Sequence, residues 1–245
     1  MIVFLFFACY NLFMIICGFE KFSMVDYDGK IACTVFTGGC NFRCPFCHNG
    51  ALVIGDVKSQ EISASEVFDY LEKRKGLVDA VCVTGGEATL QPDLADFYKK
   101  VRALGYATKL DTNGLRPDVL KNLLDEKLLD YVAMDLKNSK SKYALTTGLK
   151  NVDLNKIEES VEMLKHSNVD YEFRTTLIKE FHTIEDMKEI AEWINGASRY
   201  FMQHYNDTEG CISHGFTDFT KAETESFIPL FDNKVGMVGI RGYNF

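Results

Sequence analysis

The feature that most constrains this chain is a regular alternation of short β-rich runs with helical patterns from Lys30 onward. Residues 31–37 (IACTVFT) read as a strand ending in Gly38-Gly39. Ser63 then caps a helix to about Lys75, with Glu66 three residues on at capping-box spacing. Further strands are expected at 79–84, 106–110, 130–136, 171–178, 199–203 and 234–240. Helices are expected between them at 92–104, 117–127, 154–165, 184–194 and 220–230. Such alternation implies parallel strands joined by right-handed crossovers. Six βα repeats and a closing strand fall short of a closed eight-fold barrel. The expected fold is therefore α/β, a partial (β/α)6 TIM-like barrel in one domain.

The charge balance narrows the function. With 27 Lys+Arg against 35 Asp+Glu the net charge is −8, so a broad nucleic-acid surface is not expected. Three of the eight cysteines, Cys40, Cys44 and Cys47, crowd into a few residues. Cys9, Cys17, Cys33, Cys82 and Cys211 are scattered without pairing rhythm. That distribution reads as a metal site plus isolated thiols in a reducing, cytoplasmic compartment. Residues 1–19 carry no charge and reach the length of a membrane span. No Lys or Arg precedes the run and no cleavage site follows it, so it is not a secretory signal. A membrane anchor, a buried extra strand, and a reading frame begun upstream of the true start all stay open, with Met14 as an alternative start. Residues 1–17 are set apart as an apolar extension of a domain at 18–245, and a membrane partner is not expected.

Six signals carry chemistry. Cys40-Asn-Phe-Arg-Cys44-Pro-Phe-Cys47 follows the first predicted strand. Three thiolates at these spacings can wrap one face of a cubane iron–sulfur cluster and leave one iron open, whereas electron carriers usually use four. The competing reading is zinc on Cys40, Cys44, Cys47 and the adjacent His48. Gly85-Gly86-Glu87 follows the second strand, with glycines that allow close approach to a ligand and a carboxylate for an ammonium group. Asp111-Thr112-Asn113-Gly114 follows the third; alone it would be a turn. Asp135 and Lys137 leave the fourth on the same face and can meet one ligand. Arg174 lies within the fifth, on a functional or a solvated face, and Gln203-His204-Tyr205 ends the sixth. Five of the six lie at strand carboxyl ends, the edge where active sites of parallel α/β folds assemble.

The motifs CNFRCPFC, GGE, DTNG and DLK resemble those of radical S-adenosylmethionine (SAM) enzymes. The longer stretches GFEKFSMVDYDGKIA, GCNFRCPFCHNG, GGEATLQPDL, KLDTNG, YVAMDLK and YEFRTT resemble the long form of anaerobic ribonucleoside-triphosphate reductase activating proteins. Pyruvate formate-lyase activating enzymes are near relatives through CxxxCxxCHN, DTNG and DLK. The resemblance runs from Gly18 to near the C-terminus. It implies a radical SAM partial barrel in which Cys40, Cys44 and Cys47 hold a [4Fe-4S] cluster that chelates S-adenosyl-L-methionine. Phe46 would lie against the adenine, and Gly85, Gly86 and Glu87 would receive the methionine ammonium. Asp111, Thr112, Asn113 and Asp135 match positions that bind SAM or a monovalent cation. Lys137 would pair with the SAM carboxylate or approach the partner loop, and Arg174 and Tyr205 are weaker carry-overs. The implied activity is reductive SAM cleavage that places a glycyl radical on anaerobic ribonucleotide reductase, with a flavodoxin- or ferredoxin-type electron donor.

Ala88, Asp28 and Gly50 stand where the family commonly has proline. These departures touch backbone stiffness and remove no ligand. The remaining alternatives are an activase of a pyruvate formate-lyase-type partner, a radical SAM enzyme with a small-molecule substrate, and a non-catalytic zinc module. His166, His182 and His214 read as surface or helix-end residues.

Overall fold

In the computed structural model, described over residues 14–57 and 61–243, eight strands form one sheet in chain order. They are β1 (Ile16–Ser23), β2 (Ala32–Thr37), β3 (Ala80–Gly85), β4 (Ala107–Thr112), β5 (Tyr131–Asp135), β6 (Asp170–Leu177), β7 (Arg199–His204) and β8 (Met237–Arg241). β1 runs antiparallel to β2, and β2 to β8 are all parallel. The helices are α1 (Gly50–Ile54), α2 (Ala64–Lys73), α3 (Leu94–Ala103), α4 (Pro117–Asp125), α5 (Tyr143–Thr147), α6 (Leu154–Lys165), α7 (Ile184–Trp193) and α8 (Lys221–Glu225). Six crossovers link β2 to β8, and among the described residues β8 does not pair with β1. The sheet is thus the open, partial barrel that the alternation predicts.

Where structure and expectation differ, local chemistry explains it. The expected helix at 220–230 stops at Glu225 and resumes as a 3₁₀ turn at Ile228–Phe231. Pro229 lacks an N–H, and its ring would collide with the carbonyl four residues back. The Ser63 hydroxyl accepts from the Ser65 N–H rather than Glu66, so the predicted box does not close there. Closed boxes form instead at Thr183/Asp186 and Thr220/Glu223. α1 and α5, five residues each, are too short for a periodic pattern to reveal. β1 takes up part of the apolar N-terminal run as an added strand, with Met14 and Ile16 buried in the core. The boundary expected after residue 17 falls inside that strand. Residues 1–13 lie outside the described residues. No described helix is long and apolar enough to cross a membrane.

The two faces of the sheet differ. Val35, Val81, Val83, Leu110, Val132, Met134 and Phe173 pack against helix residues such as Leu71, Phe97, Leu120, Ile157 and Leu164, all nearly or fully buried. On the other face a separate small cluster of Tyr27, Ala32, Ala80, Tyr131 and Ala133 fills one end. Further toward the carboxyl ends the same face carries Lys109, Asp111, Asp135, Glu172 and Arg174.

Candidate active site

The carboxyl end of β2 passes through Gly38-Gly39 into the loop that bears the cysteines. The Gly38 N–H donates to the Ile15 carbonyl at 3.0 Å and the Gly39 N–H to Leu52 at 2.8 Å. Cys40, Cys44 and Cys47 line one cavity of about 240 Å³ together with Phe46, Gly85, Gly86, Glu87, Asp111, Thr112, Asn113, Asp135, Lys137 and Arg174. Thirteen of the fourteen site residues expected from the sequence therefore converge on one space.

Burial pushes the Cys40 thiol up to about 11 and the Cys44 thiol up to about 12, and raises Cys47 as well. The nearby Lys137 ammonium pulls all three the other way without overcoming burial. Buried thiols of this kind reach the thiolate form when a metal centre supplies the charge. The Phe42 N–H points at the Cys40 sulfur from 3.3 Å. The donor set is three sulfurs on one short loop. A cubane presents three separate irons to such a set.

His48 borders the same cavity. Its Nε2 lies 2.6 Å from the Asn206 carbonyl, and its ring stacks on Tyr205 at 5.7 Å. Among the described residues no three His, Cys, Asp or Glu side chains converge tightly enough to hold a single metal ion.

Gly85 and Gly86 have a role that spacing did not reveal. A Cβ at Gly85 (φ +115) would overlap the Thr37 backbone, and one at Gly86 would overlap the Gly39 carbonyl. The Gly86 N–H donates to Thr37 at 2.9 Å and the Glu87 N–H to Gly39 at 2.8 Å. The glycines thus seat the end of β3 against the start of the cysteine loop as well as lining the cavity. The Glu87 carboxylate is 2% exposed. It accepts from the Thr89 N–H (3.1 Å) and hydroxyl (2.5 Å), the Thr112 hydroxyl (2.7 Å) and the Asn113 N–H (2.7 Å). Burial raises its pKa against these four bonds. Its carboxylate therefore binds the ends of β3 and β4 to each other. Asn113 extends the tie, donating from Nδ2 to Asn41 at 2.7 Å.

Charges alternate across the neighbouring strand ends. Lys109 Nζ lies 3.0 Å from Asp111, whose other oxygen lies 3.1 Å from Arg174 Nη1. Arg174 Nε meets Asp135 at 2.9 Å, and Lys137 Nζ meets its second oxygen at 2.9 Å. Burial alone would raise both carboxyls, but Arg174 with Lys109 holds Asp111 below the usual range. Arg174 with Lys137 holds Asp135 at about 2. Asp135 and Lys137 share a face as expected, and there they pair with each other. Arg174 is 12% exposed, which removes its solvated-face reading.

Tyr205 is the expected residue that does not reach the cavity. It is 1% exposed and packs behind the loop, on His48 and Phe216. From the same tripeptide it is Gln203 that lines the site, joined by Thr176, Thr84, Phe42, Asn49 and Val53. Thr176 could have been found from its i, i+2 relation to Arg174 on β6. His182 is buried rather than superficial, with Nε2 3.0 Å from the Lys137 carbonyl. Arg174 and Gln203 also border a second cavity of about 540 Å³, lined by Asp26, Lys109, Glu172 and Arg241 among others.

Comparisons with known proteins bear on this geometry. Residues 34–194, about two thirds of the chain, match the model of the Radical SAM superfamily. A Methanocaldococcus jannaschii protein provisionally named a glycyl-radical enzyme activating enzyme is 31% identical over 195 residues, covering 78% of this chain and 80% of its own. The pyruvate formate-lyase-activating enzyme of Streptococcus mutans is 34% identical over 145 residues, 54% of each chain. Among solved structures, Streptococcus suis SuiB bound to S-adenosylmethionine superposes with a TM-score of 0.64 at 16% identity over 83% of this chain and 48% of that one. A domain of a Bacteroides vulgatus pyruvate-formate lyase-activating enzyme gives 0.55 at 19% identity over 67% of this chain and 99% of that one. These two likenesses speak for the fold. The chain belongs to the radical SAM superfamily, whose cofactors are a [4Fe-4S] cluster and S-adenosylmethionine, and it is homologous to glycyl-radical enzyme activating enzymes.

Proposed function

We propose that this chain generates a glycyl radical on a partner enzyme, and that the partner is an anaerobic ribonucleoside-triphosphate reductase. The observation that carries the activase reading is the 31% identity to the Methanocaldococcus jannaschii protein over four fifths of that protein's length. The reductase is favoured by the stretches GFEKFSMVDYDGKIA and GGEATLQPDL. A pyruvate formate-lyase-type partner is the second reading, supported by several relatives named as pyruvate formate-lyase-activating enzymes.

In this reading Cys40, Cys44 and Cys47 hold the cluster. When bound and reduced, the cluster supplies the electron that cleaves SAM, and with it the power to take hydrogen from a backbone glycine. The chain's own part is placement and charge. Glu87, by tying Thr112 and Asn113, keeps the walls after β3 and β4 at a fixed separation. The backbone at Gly85-Gly86 forms the floor between them. Lys137 places a cation beside the three thiols, and together Lys137 and Arg174 balance the anionic Asp111 and Asp135. A SAM carboxylate finds its complementary charge there, at Lys137. Phe46, 4% exposed and packed on Phe181 at 5.9 Å, offers an apolar wall.

The test has two stages. Anaerobically reconstituted, chemically reduced protein should release 5′-deoxyadenosine from SAM, and Cys47→Ala should abolish the release. Mixed with SAM and a purified anaerobic ribonucleotide reductase from the same source, it should produce a glycyl radical detectable by electron paramagnetic resonance. A signal only with a formate-lyase-type partner selects the second reading. SAM cleavage with neither partner activated overturns the activase proposal.

A further inference from the structure

The cysteine loop is held by segments that no sequence motif marks. Gly148, just past α5, adopts a left-handed conformation (φ +69), and a Cβ there would overlap the Arg43 carbonyl. Beside it the Arg43 N–H donates to the Thr147 carbonyl at 2.9 Å. This fixes the chain immediately before Cys44 against the end of a helix.

The other side of the loop is held by the segment after β7. Residues 206–213 run along residues 45–50. Ser213 N–H donates to the Pro45 carbonyl at 2.7 Å, Ile212 N–H to Cys47 at 3.2 Å, and Gly50 N–H to Gly210 at 2.9 Å. His48 Nε2 adds a side-chain bond to Asn206 at 2.6 Å. At the centre of this contact, a Cβ on Gly210 would overlap the His48 carbonyl. Gly210 has no left-handed φ, so closeness alone accounts for the missing side chain.

We propose that Gly148 and Gly210 are positioning residues for the cluster: by leaving no room for a side chain, they set where Cys44 and Cys47 present their sulfurs. A methyl group at either position collides with backbone, which cannot rotate away as a flexible side chain can. The loop carbonyl must then move, and the adjacent thiol moves with it. Residues that orient metal ligands typically cost about 10–100-fold in metal affinity when altered. The inference rests on the three-thiolate cluster site and is independent of which partner enzyme is activated.

The experiment compares Gly148→Ala and Gly210→Ala with Gly105→Ala in the full chain. Gly105 also has positive φ (+93) but nothing within 4 Å of its would-be Cβ, so its variant isolates backbone strain. Each protein is reconstituted anaerobically and measured for iron retained against a chelator, for the electron paramagnetic resonance spectrum of the reduced cluster, and for thermal unfolding without the cluster. Gly148→Ala and Gly210→Ala should hold iron about tenfold more weakly and shift the spectrum. Gly105→Ala should lower the unfolding temperature alone. Wild-type retention and spectrum in both test variants overturns the proposal, as does the same loss in Gly105→Ala. Should Gly210→Ala fail to fold, His48→Ala takes its place and should weaken retention in the same direction. Unchanged iron in His48→Ala and Gly148→Ala then counts against the proposal.

Discussion

The two faces of this one sheet are built on opposite principles. Facing the helices, strands β2 to β7 present near-continuous apolar side chains that pack without polar partners. Facing the lumen, the same strands present Lys109 and Glu172, both buried, and Asp111, Asp135 and Arg174, all partly buried, each of the five in an ion pair. The helix side is tolerant chemistry, in which volume and apolarity suffice. The lumen side is demanding, because removing one buried charge strands its partner. Stability therefore comes mainly from one face and placement of the reacting groups from the other.

The comparison can be tested from its strongest point downward. Arg174→Ala leaves Asp111 and Asp135 without their shared cation, and should cost about 3–5 kcal/mol in a denaturant titration. A loss below about 1 kcal/mol would mean that Lys109 and Lys137 suffice, and the lumen is less demanding than claimed. On the other face, Leu164→Ala removes a fully buried side chain and should cost about 2–5 kcal/mol. Iron content and SAM cleavage per folded molecule should stay unchanged there, and any loss of either would blur the division between the faces.

Glu87→Gln replaces an acceptor of four bonds by an amide with one acceptor oxygen. It should cost about 1–3 kcal/mol and weaken SAM binding in an equilibrium titration. A loss of stability without a loss of SAM affinity would make Glu87 a tie for the fold alone. The smallest effect is pH dependence. Asp111 and Asp135 have folded pKa values below the unfolded value of about 3.9. Their contribution is complete above that value and is lost as pH falls toward about 2 for Asp135. Glu87, with its pKa raised by burial, runs oppositely: its contribution is complete below the unfolded Glu value and is lost as pH rises through the folded one. Unfolding free energies measured from pH 5 downward should fall, and Asp135→Asn should flatten that fall.

The helix-facing side was legible because its signal is periodic. α6 was expected at its observed bounds, since Ile157, Val161 and Leu164 fall on one stripe. The cysteines and the strand-end motifs were legible because their spacing is local. What escaped was non-local. Nothing near Gly148 or Gly210 in the sequence indicates the loop they touch, more than a hundred residues earlier. The tie that Glu87 makes to Thr112 and Asn113 is equally invisible locally, because those donors sit at and just past the end of another strand. Tyr205 comes from the family resemblance, which carries no information on which residue of the tripeptide at the end of β7 faces the cavity; Gln203 does. β1 stands in the sequence only as one of three readings of an apolar run whose uniformity gives no period to decide between them.

β1 also bears on how the chain behaves before it is folded and loaded. The strand it covers, β2, reads ACTVFT: β-favouring residues with no charge, no proline and no glycine. Left at the edge of a sheet, such a segment would offer its unpaired amides and carbonyls to the same segment of another molecule. β1 takes that place itself and turns Glu20 and Lys21 outward to solvent. Charged side chains on an edge strand disfavour its pairing with another chain. β2, the strand that leads into the cysteine loop, is thereby an interior strand of the sheet rather than its edge.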